Sequence, residues 1–270
     1  IFYSNPLSIF KAKKVDILFE SIGLSDGISK KVVETALKNK IHVITPNKAL
    51  IAKHGDKLAN LAEKNKVNLE FEASVCGGVP IIRSLKEGLI ANKISKIYGI
   101  FNGTSNYILS SMDKQNKSFE EVLSDAQKMG YAEANPSADL NGDDVSSKLK
   151  ILSSLCFNSF LNNNIYVEGI KDIDKSDIDN ANKLGYKIKL LGFAELINNK
   201  IYQRVHPTLI KKSSYVGSID GVLNAVIVEG SPVGQNVIQG EGAGPAATTS
   251  ALVSDISSIL RGNIKFPFSI

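Results

Sequence analysis

Asp144 and Lys148 are four residues apart in the stretch "GYAEANPSADLNGDDVSSKLKIL", residues 130–152. That stretch reads as a helix beginning near Asp143, so the carboxylate and the ammonium share one face. Taken alone, this is an ordinary surface ion pair, which is common and worth little. Two features shift the reading towards a site. The helix continues as "LKILSSLCF", so one of its faces must be buried. In addition, Glu133, Asp139, Asp143 and Asp144 crowd beside the turn formers Gly130, Pro136 and Gly142.

Four further groupings could bind or react. "TPNKAL", residues 45–50, follows an apolar β-branched run, and Pro46 and Asn47 are good helix-start residues. Free N–H groups there could hold an anion, with Lys48 adding charge, or the motif could be a plain cap. "FEASVCGGVP", residues 71–80, sets Glu72 before a Gly-rich turn. A carboxylate with backbone carbonyls is a hard-oxygen set suited to Na⁺ or Mg²⁺; a tight interdomain turn is the simpler account. Cys76 in the same turn offers a rival, a thiol nucleophile, although buried cysteines are usually inert. "GIFNGTSNYIL", residues 99–109, puts Asn102, Gly103 and Thr104 between a strand and a helix, either to meet a ligand or to cap. "GEGAG", residues 240–244, opens a helix like a phosphate-cradling turn, a weak pattern by itself.

These groups need a scaffold. "VDILFESI", residues 15–22, reads as a strand; "SKKVVETALKNK", 29–40, as an amphipathic helix; "IHVIT" as a strand; "DKLANLAEKNK" as a helix; and "VNLEFEAS" as a strand. This βαβαβ order predicts a parallel sheet, half of a doubly wound nucleotide-binding fold. A boundary falls near Pro80. Beyond it a helix is expected over 81–89 and a strand at "ISKIYGIFNG". Helices then run to residue 157, and strands follow at "IYVEGI", "YKIKLLGFAEL", "KIYQRVHPTLI" and "LNAVIVEG". The fold class is therefore α/β, a partial Rossmann-like sheet plus an α+β catalytic and dimerisation domain. Residues 1–79 form the first part, with a helix at 243–262 packing back on it, and 80–242 form the second.

Composition excludes several classes. With 270 residues, 43% hydrophobic and 22% charged, the chain can bury a substantial core. The net charge of +5 comes from scattered lysines, with no aromatic–basic stripe for nucleic acid. No apolar run reaches the roughly 18–20 residues that span a bilayer. Cys76 and Cys156 form no CxxC pair, and His42, His54 and His206 form no HxxxH. A reducing cytoplasmic setting fits, with a small-molecule substrate and neither nucleic acid nor membrane as partner.

Together and in this order, "VDILFESIG", "HVITPNKALIAKHGDKLANLA", "FEASVCGGVPII", "GIFNGTSNYILSSM", "AQKMGYAEANPSADLNGDDVSSKLKIL" and "GEGAGPAATTSALVSDI" resemble the homoserine dehydrogenases from about residue 15 to about 260. The resemblance implies interconversion of L-homoserine and L-aspartate 4-semialdehyde with NADP or NAD, in threonine, methionine and isoleucine biosynthesis. It implies Lys148 as the proton-transfer lysine, with Asp144 beside it and Lys48 at the junction of cofactor and substrate. It further implies Glu133, Asp139, Tyr131 and Thr104 around the substrate, and Ser21, Lys48, Gly242 and Gly244 around the cofactor. Glu72, with the carbonyls of Val75, Gly77 and Val79, matches a monovalent-cation site for Na⁺ or K⁺. A homodimer or homotetramer is also implied. A lysine serving as base must lose its proton, and burial favours this while neighbouring acids oppose it; which influence wins is not legible in the sequence.

The chain departs from the family in places. It does not begin with Met, and the family's Gly-rich phosphate loop and ribose-reading acid are expected before residue 1, which leaves NAD against NADP open. Leu24 stands where a second Gly is usual, and Asn135 where Asp is usual. Longer relatives carry a C-terminal regulatory domain, and whether one accompanies this chain, with feedback control, is left open by the sequence. Two rivals are kept: an aspartate-semialdehyde dehydrogenase-like enzyme using Cys76, and an inactive dimerising core.

Overall fold

The structure, a computed structural model, describes residues 2–12, 14–160, 165–262 and 266–268. After a short helix α1 (Ile9–Ala12), the chain makes β1 (Ile17–Phe19), α2 (Ile28–Lys38), β2 (His42–Ile44), α3 (Lys48–Asn65) and β3 (Leu69–Glu70). The three strands pair in parallel in the order β1-β2-β3, with Leu18 opposite Val43 and Ile44 opposite Glu70. This is the expected βαβαβ unit. α2 buries Val32, Val33, Ala36 and Leu37, the spacing of one helical face.

The strands are shorter than the apolar runs suggest. β1 stops at Phe19, and Glu20 beyond it is drawn into a buried polar knot. The run at 67–74 pairs only at Leu69–Glu70, because Glu72–Ser74 curls into a 3₁₀ turn. The helix expected over 81–89 is one turn, α4 (Ile81–Arg83), followed by a π turn (Ser84–Gly88).

The second part is built on β4 (Lys93–Ile100), β5 (Tyr166–Val167), β6 (Tyr186–Ile197), β7 (Lys200–Lys211), β8 (Leu223–Ser231) and β9 (Gly234–Glu241). They form one mixed sheet in the order β5-β7-β6-β4-β8-β9. β9 was not anticipated. It is an edge strand with glycine or a polar residue everywhere but Val237 and Ile238, so its sequence lacks an apolar alternation. α5 (Gly103–Gln115), α6 (Phe119–Lys128), α7 (Ser137–Leu140), α8 (Asp143–Phe157), α9 (Lys175–Lys183), α10 (Tyr215–Ser218) and α11 (Pro245–Leu260) complete the chain.

Period-2 burial sorts the sheet's two faces. Ile188, Leu190 and Ala194 of β6 and Val226 and Val228 of β8 join the main core. Leu191, Ala225 and Ile227 join a second cluster with Val216 and Ile219. α8 packs against both the large sheet and α3, so one core runs through both parts. α11 returns to β2 and the Glu72–Ser74 turn, where the Glu72 amide donates to Asp255 at 3.1 Å. No helix of the described residues is long and apolar enough to cross a membrane.

Candidate active site

The site is built at four element starts. At the first, Thr45, Pro46 and Asn47 carry β2 into α3. Asn47 Oδ1 accepts from the Leu50 amide at 3.1 Å, and its Nδ2 donates to Leu24 O at 2.9 Å. Below it the buried Glu20 carboxylate accepts from Ser29 Oγ at 2.8 Å and Thr45 Oγ1 at 2.7 Å. The corner is thereby locked, and Lys48, as the first residue of α3, projects from a fixed base. The Asn47 side chain and the Pro46 carbonyl already engage the amides of Leu50 and Lys48. Much of the suggested N–H anion site at this turn is therefore used up by capping.

At the second, Asn102 caps α5 by accepting from the Ser105 amide at 2.8 Å. At the third, α8 opens after Gly142, whose φ of +86° lets the chain turn sharply into the helix. Asp144 and Lys148 then fall on the same buried face, with Lys148 Nζ 2.7 Å from Asp144 Oδ2. At the fourth, the 240–244 loop enters α11. Gly78 N donates to Glu241 O at 2.9 Å, and a Cβ on Gly242 would lie 1.4 Å from Asn224 Oδ1, so only glycine fits there.

These starts enclose a cleft of about 710 Å³ between the two parts of the chain. Of the residues expected to act, Lys48, Gly77, Thr104, Tyr131, Glu133, Asp139, Asp144, Lys148, Gly242 and Gly244 all line it. Ser21 does not; it is exposed just past the end of β1. Asn135 is not a lining residue either, its side chain bonding Ser137 instead.

The floor of the cleft is one carboxylate shared by two lysines. Asp144 Oδ1 is 3.0 Å from Lys48 Nζ, and Lys48 is much more exposed (43%) than Lys148 (11%). Lys148 also donates to Phe101 O at 2.6 Å. Asn102 Nδ2 reaches both Asp144, at 2.9 Å, and Asp139, at 2.7 Å. The sequence leaves Asn102 open between meeting a ligand and capping. Its position between a strand and a helix was visible, but its two acidic partners were not. Thr104 Oγ1 donates to Tyr131 O at 2.7 Å and ties the exposed loop carrying Tyr131 and Glu133 to α5.

Charge proximity decides the protonation states. Burial works against the Lys148 ammonium, yet its neighbours together, Asp144 foremost with Cys76 and Asp139, outweigh it and hold Lys148 above the ordinary lysine value. Burial would raise Asp144, but Lys148, Lys48 and Asn102 together keep it well below the usual carboxylate range. Burial lifts Asp139 above its usual range. In the free protein Lys148 is therefore an ammonium.

Cys76 also borders the cleft, but burial pushes its thiol up to about 12. The side-chain partner near its sulfur is Asn224 Nδ2, at 3.7 Å. A nucleophilic cysteine needs a thiolate and a base, so the Cys76 chemistry of the rival reading is not supported. Glu72 lies beneath the 75–80 turn. Its two carboxylate oxygens accept from the amides of Ile82, at 2.9 Å, and Arg83, at 2.8 Å, at the start of α4. Val75 and Val79 are buried, and the Val79 carbonyl accepts from Ile81 N at 2.7 Å. Burial raises Glu72 to about 6.

Known proteins resemble this chain across its length. A family model for homoserine dehydrogenase matches residues 80–257, and one for the homoserine dehydrogenase NAD binding domain matches 4–72. Homoserine dehydrogenases of Neisseria gonorrhoeae and Helicobacter pylori are 46% and 44% identical, each over 96% of this chain. The chain spans 60% and 61% of those relatives' own lengths. The crystal structure of a homoserine dehydrogenase from Thiobacillus denitrificans superposes with a TM-score of 0.92 at 40% identity, covering 98% of this chain and 64% of that one. A hyperthermophilic archaeal homoserine dehydrogenase mutant, described in complex with NADPH, matches with a TM-score of 0.84 at 25% identity. With both family models matched in order and relatives above 40% identity over nearly its full length, the chain belongs to the homoserine dehydrogenase family.

Proposed function

We propose that this protein interconverts L-homoserine and L-aspartate 4-semialdehyde by hydride transfer with NADP or NAD. The observation that carries the reading is the pair of lysines bridged by Asp144 on the floor of an acid-lined cleft. Both substrate forms carry an ammonium and a carboxylate. Asp139 and Glu133 offer the negative charge for the first, and Lys48 offers positive charge for the second. Tyr131 and Thr104 close the same wall.

The surroundings suit a dinucleotide. The C-terminal end of a parallel strand opens into the cleft at Pro46 and Lys48. Gly244, with φ +108° and open space around its α-carbon, leaves the backbone ahead of α11 accessible. When bound, the nicotinamide supplies or accepts the hydride. Lys148 then acts at the oxygen. As the aldehyde carbon gains hydride, the Lys148 ammonium gives its proton to the forming alkoxide, and the amine regains a proton from solvent. In the oxidative direction the neutral amine must take the hydroxyl proton. Asp144 keeps the ammonium aimed and charged, and Asn102 fixes Asp144 and Asp139 relative to each other.

A division of labour at Pro80 fits this scheme: 1–79 with the 243–262 helix for the cofactor, and 80–242 for substrate and self-association. Ser21, at the end of β1, is placed on the cofactor side in the same proposal. A homodimer or homotetramer is the reading for self-association, for which the half-buried aromatic stack on the large sheet, Phe193 on both Tyr98 and His206, offers a contact face. Na⁺ or K⁺ held by Glu72 and the carbonyls of Val75, Gly77 and Val79 is the finer reading of the 72–79 turn. Mixing the protein with L-aspartate 4-semialdehyde and NADPH or NADH tests the activity. Aldehyde-dependent loss of the nicotinamide absorbance is expected, and its absence with both cofactors in folded protein would reject the reading.

A further inference from the structure

Lys189 lies outside the cleft, yet its side chain is almost wholly enclosed, with the residue 1% exposed. An ammonium removed from water persists only where its charge is paired and its N–H groups are used. Lys189 Nζ donates to Ile219 O at 2.6 Å, Asn106 Oδ1 at 2.9 Å and Asp220 Oδ1 at 2.9 Å, with Ser110 Oγ at 3.3 Å. Asp220 is held in turn by Lys187 and Lys114, each at 3.0 Å.

Asn106, on α5, carries the same network further. Its Nδ2 faces the carbonyls of Gly221 at 3.0 Å and of Ile219 and Leu223 at 3.3 Å. One lysine and one asparagine thus hold the 219–223 segment, which links α10 to β8, against α5. Val222 in that segment lines the cleft, and its carbonyl presses on Gly103: a Cβ there would stand 2.6 Å from Val222 O. Gly103 opens α5 between Asn102, which bridges Asp139 and Asp144, and Thr104, which ties down the Tyr131 loop.

We propose that Lys189 is a positioning residue for the reaction cleft, acting through Asn106 and the 219–223 segment on the turn at 102–104. The inference rests on the homoserine dehydrogenase reading for the identity of the substrate. A neutral side chain at 189 frees the segment, Val222 leaves Gly103, and the substrate wall loosens, while the lysine that moves the proton stays on α8.

Lys189→Met in the full protein tests this. The KM for L-aspartate 4-semialdehyde is expected to rise about tenfold, with the KM for NADPH within about twofold. Amide exchange at 219–223 and 104–106 should quicken, while α3 and α8 keep their protection. A lysine that only stabilises the fold would lower the melting temperature and the active fraction and leave both KM values where they were, and that result overturns the proposal. If Lys189→Met does not fold, Asn106→Ser breaks the same clamp with the charge cluster intact and is expected to give the same KM signature. Wild-type protein lacking aldehyde-dependent turnover would instead reject the proposed reaction. The exchange comparison then decides the clamp by itself, and unchanged protection at 219–223 would overturn it.

Discussion

Asp144 and Lys148 stand one helical turn apart with a carboxylate oxygen 2.7 Å from the ammonium, and both are buried. The contact differs from a solvated i,i+4 pair in what surrounds it. Lys48 approaches the other carboxylate oxygen, and Asn102 and the Phe101 carbonyl take up further hydrogen-bonding capacity of the pair. A buried pair satisfied on all sides holds its charges in one geometry, whereas an exposed pair does not.

Lys148→Ala should remove the proton donor and leave the binding wall in place. The expected loss in kcat is about 10²–10⁴-fold, with little change in substrate affinity. Steady-state kinetics in both directions check this. A kcat within about tenfold of wild type, a difference below about 1.4 kcal/mol, would show that Lys148 does not carry the proton.

The raised Lys148 sets the pH dependence. The ammonium form is the donor for aldehyde reduction, so reductive kcat should stay level through neutral pH. It should fall only above the ordinary lysine range of about 10.4. Oxidation needs the neutral amine, so its kcat should climb with pH across the same range, by up to about tenfold per unit. A reductive profile that declines with a midpoint near about 7 would contradict a Lys148 held charged by Asp144.

Asn102→Ala deletes the bridge between Asp139 and Asp144 and the cap of α5. Loss of the cap alone is expected to cost about 1 kcal/mol of stability. Turnover should fall further than that, because Asp139 is left beside Asp144 with no donor between them. Comparing thermal melting with kcat/KM separates the two effects. Activity that tracks the folded fraction alone would limit Asn102 to capping.

Cys76→Ala discriminates against thiol chemistry. With the thiol pushed up to about 12, the wild-type protein should resist iodoacetamide at neutral pH. The variant should keep kcat within about threefold of wild type. Loss of turnover by orders of magnitude in a folded variant would revive a covalent thiol mechanism.

For the proposed cation, the test is ionic. Turnover in Na⁺ or K⁺ should exceed that in a bulky organic cation at equal ionic strength, and Glu72→Gln should abolish the difference. Because Glu72 also accepts the amides of Ile82 and Arg83, the substitution should cost some stability as well. Equal rates in all three salts would assign Glu72 to capping α4 only.

Much of this molecule is legible one segment at a time. The βαβαβ order follows from apolar periodicity, and the helix carrying Asp144 and Lys148 follows from Gly142 and the apolar run behind it. These are local properties, because hydrogen bonds and burial along one element depend on neighbours a few residues away. The long motifs identify the family for a related reason: all but the first, at 15–23, contribute residues to the cleft wall.

The tertiary structure decides what depends on residues far apart in the chain. Lys48 meets Asp144 only because α3 packs against α8. Asn102 gains its two carboxylate partners only where the β4-to-α5 turn faces α7 and α8. The protonation of Lys148 is likewise a spatial result, since burial and the acidic neighbours gathered around it, Asp144 at 2.7 Å foremost, pull in opposite directions. Lys189, one lysine among many in the sequence, becomes a hub only when β6, α5 and the 219–223 segment enclose it. Coulombic and hydrogen-bond energies depend on distance in space, and spacing along the chain fixes that distance only within a single element.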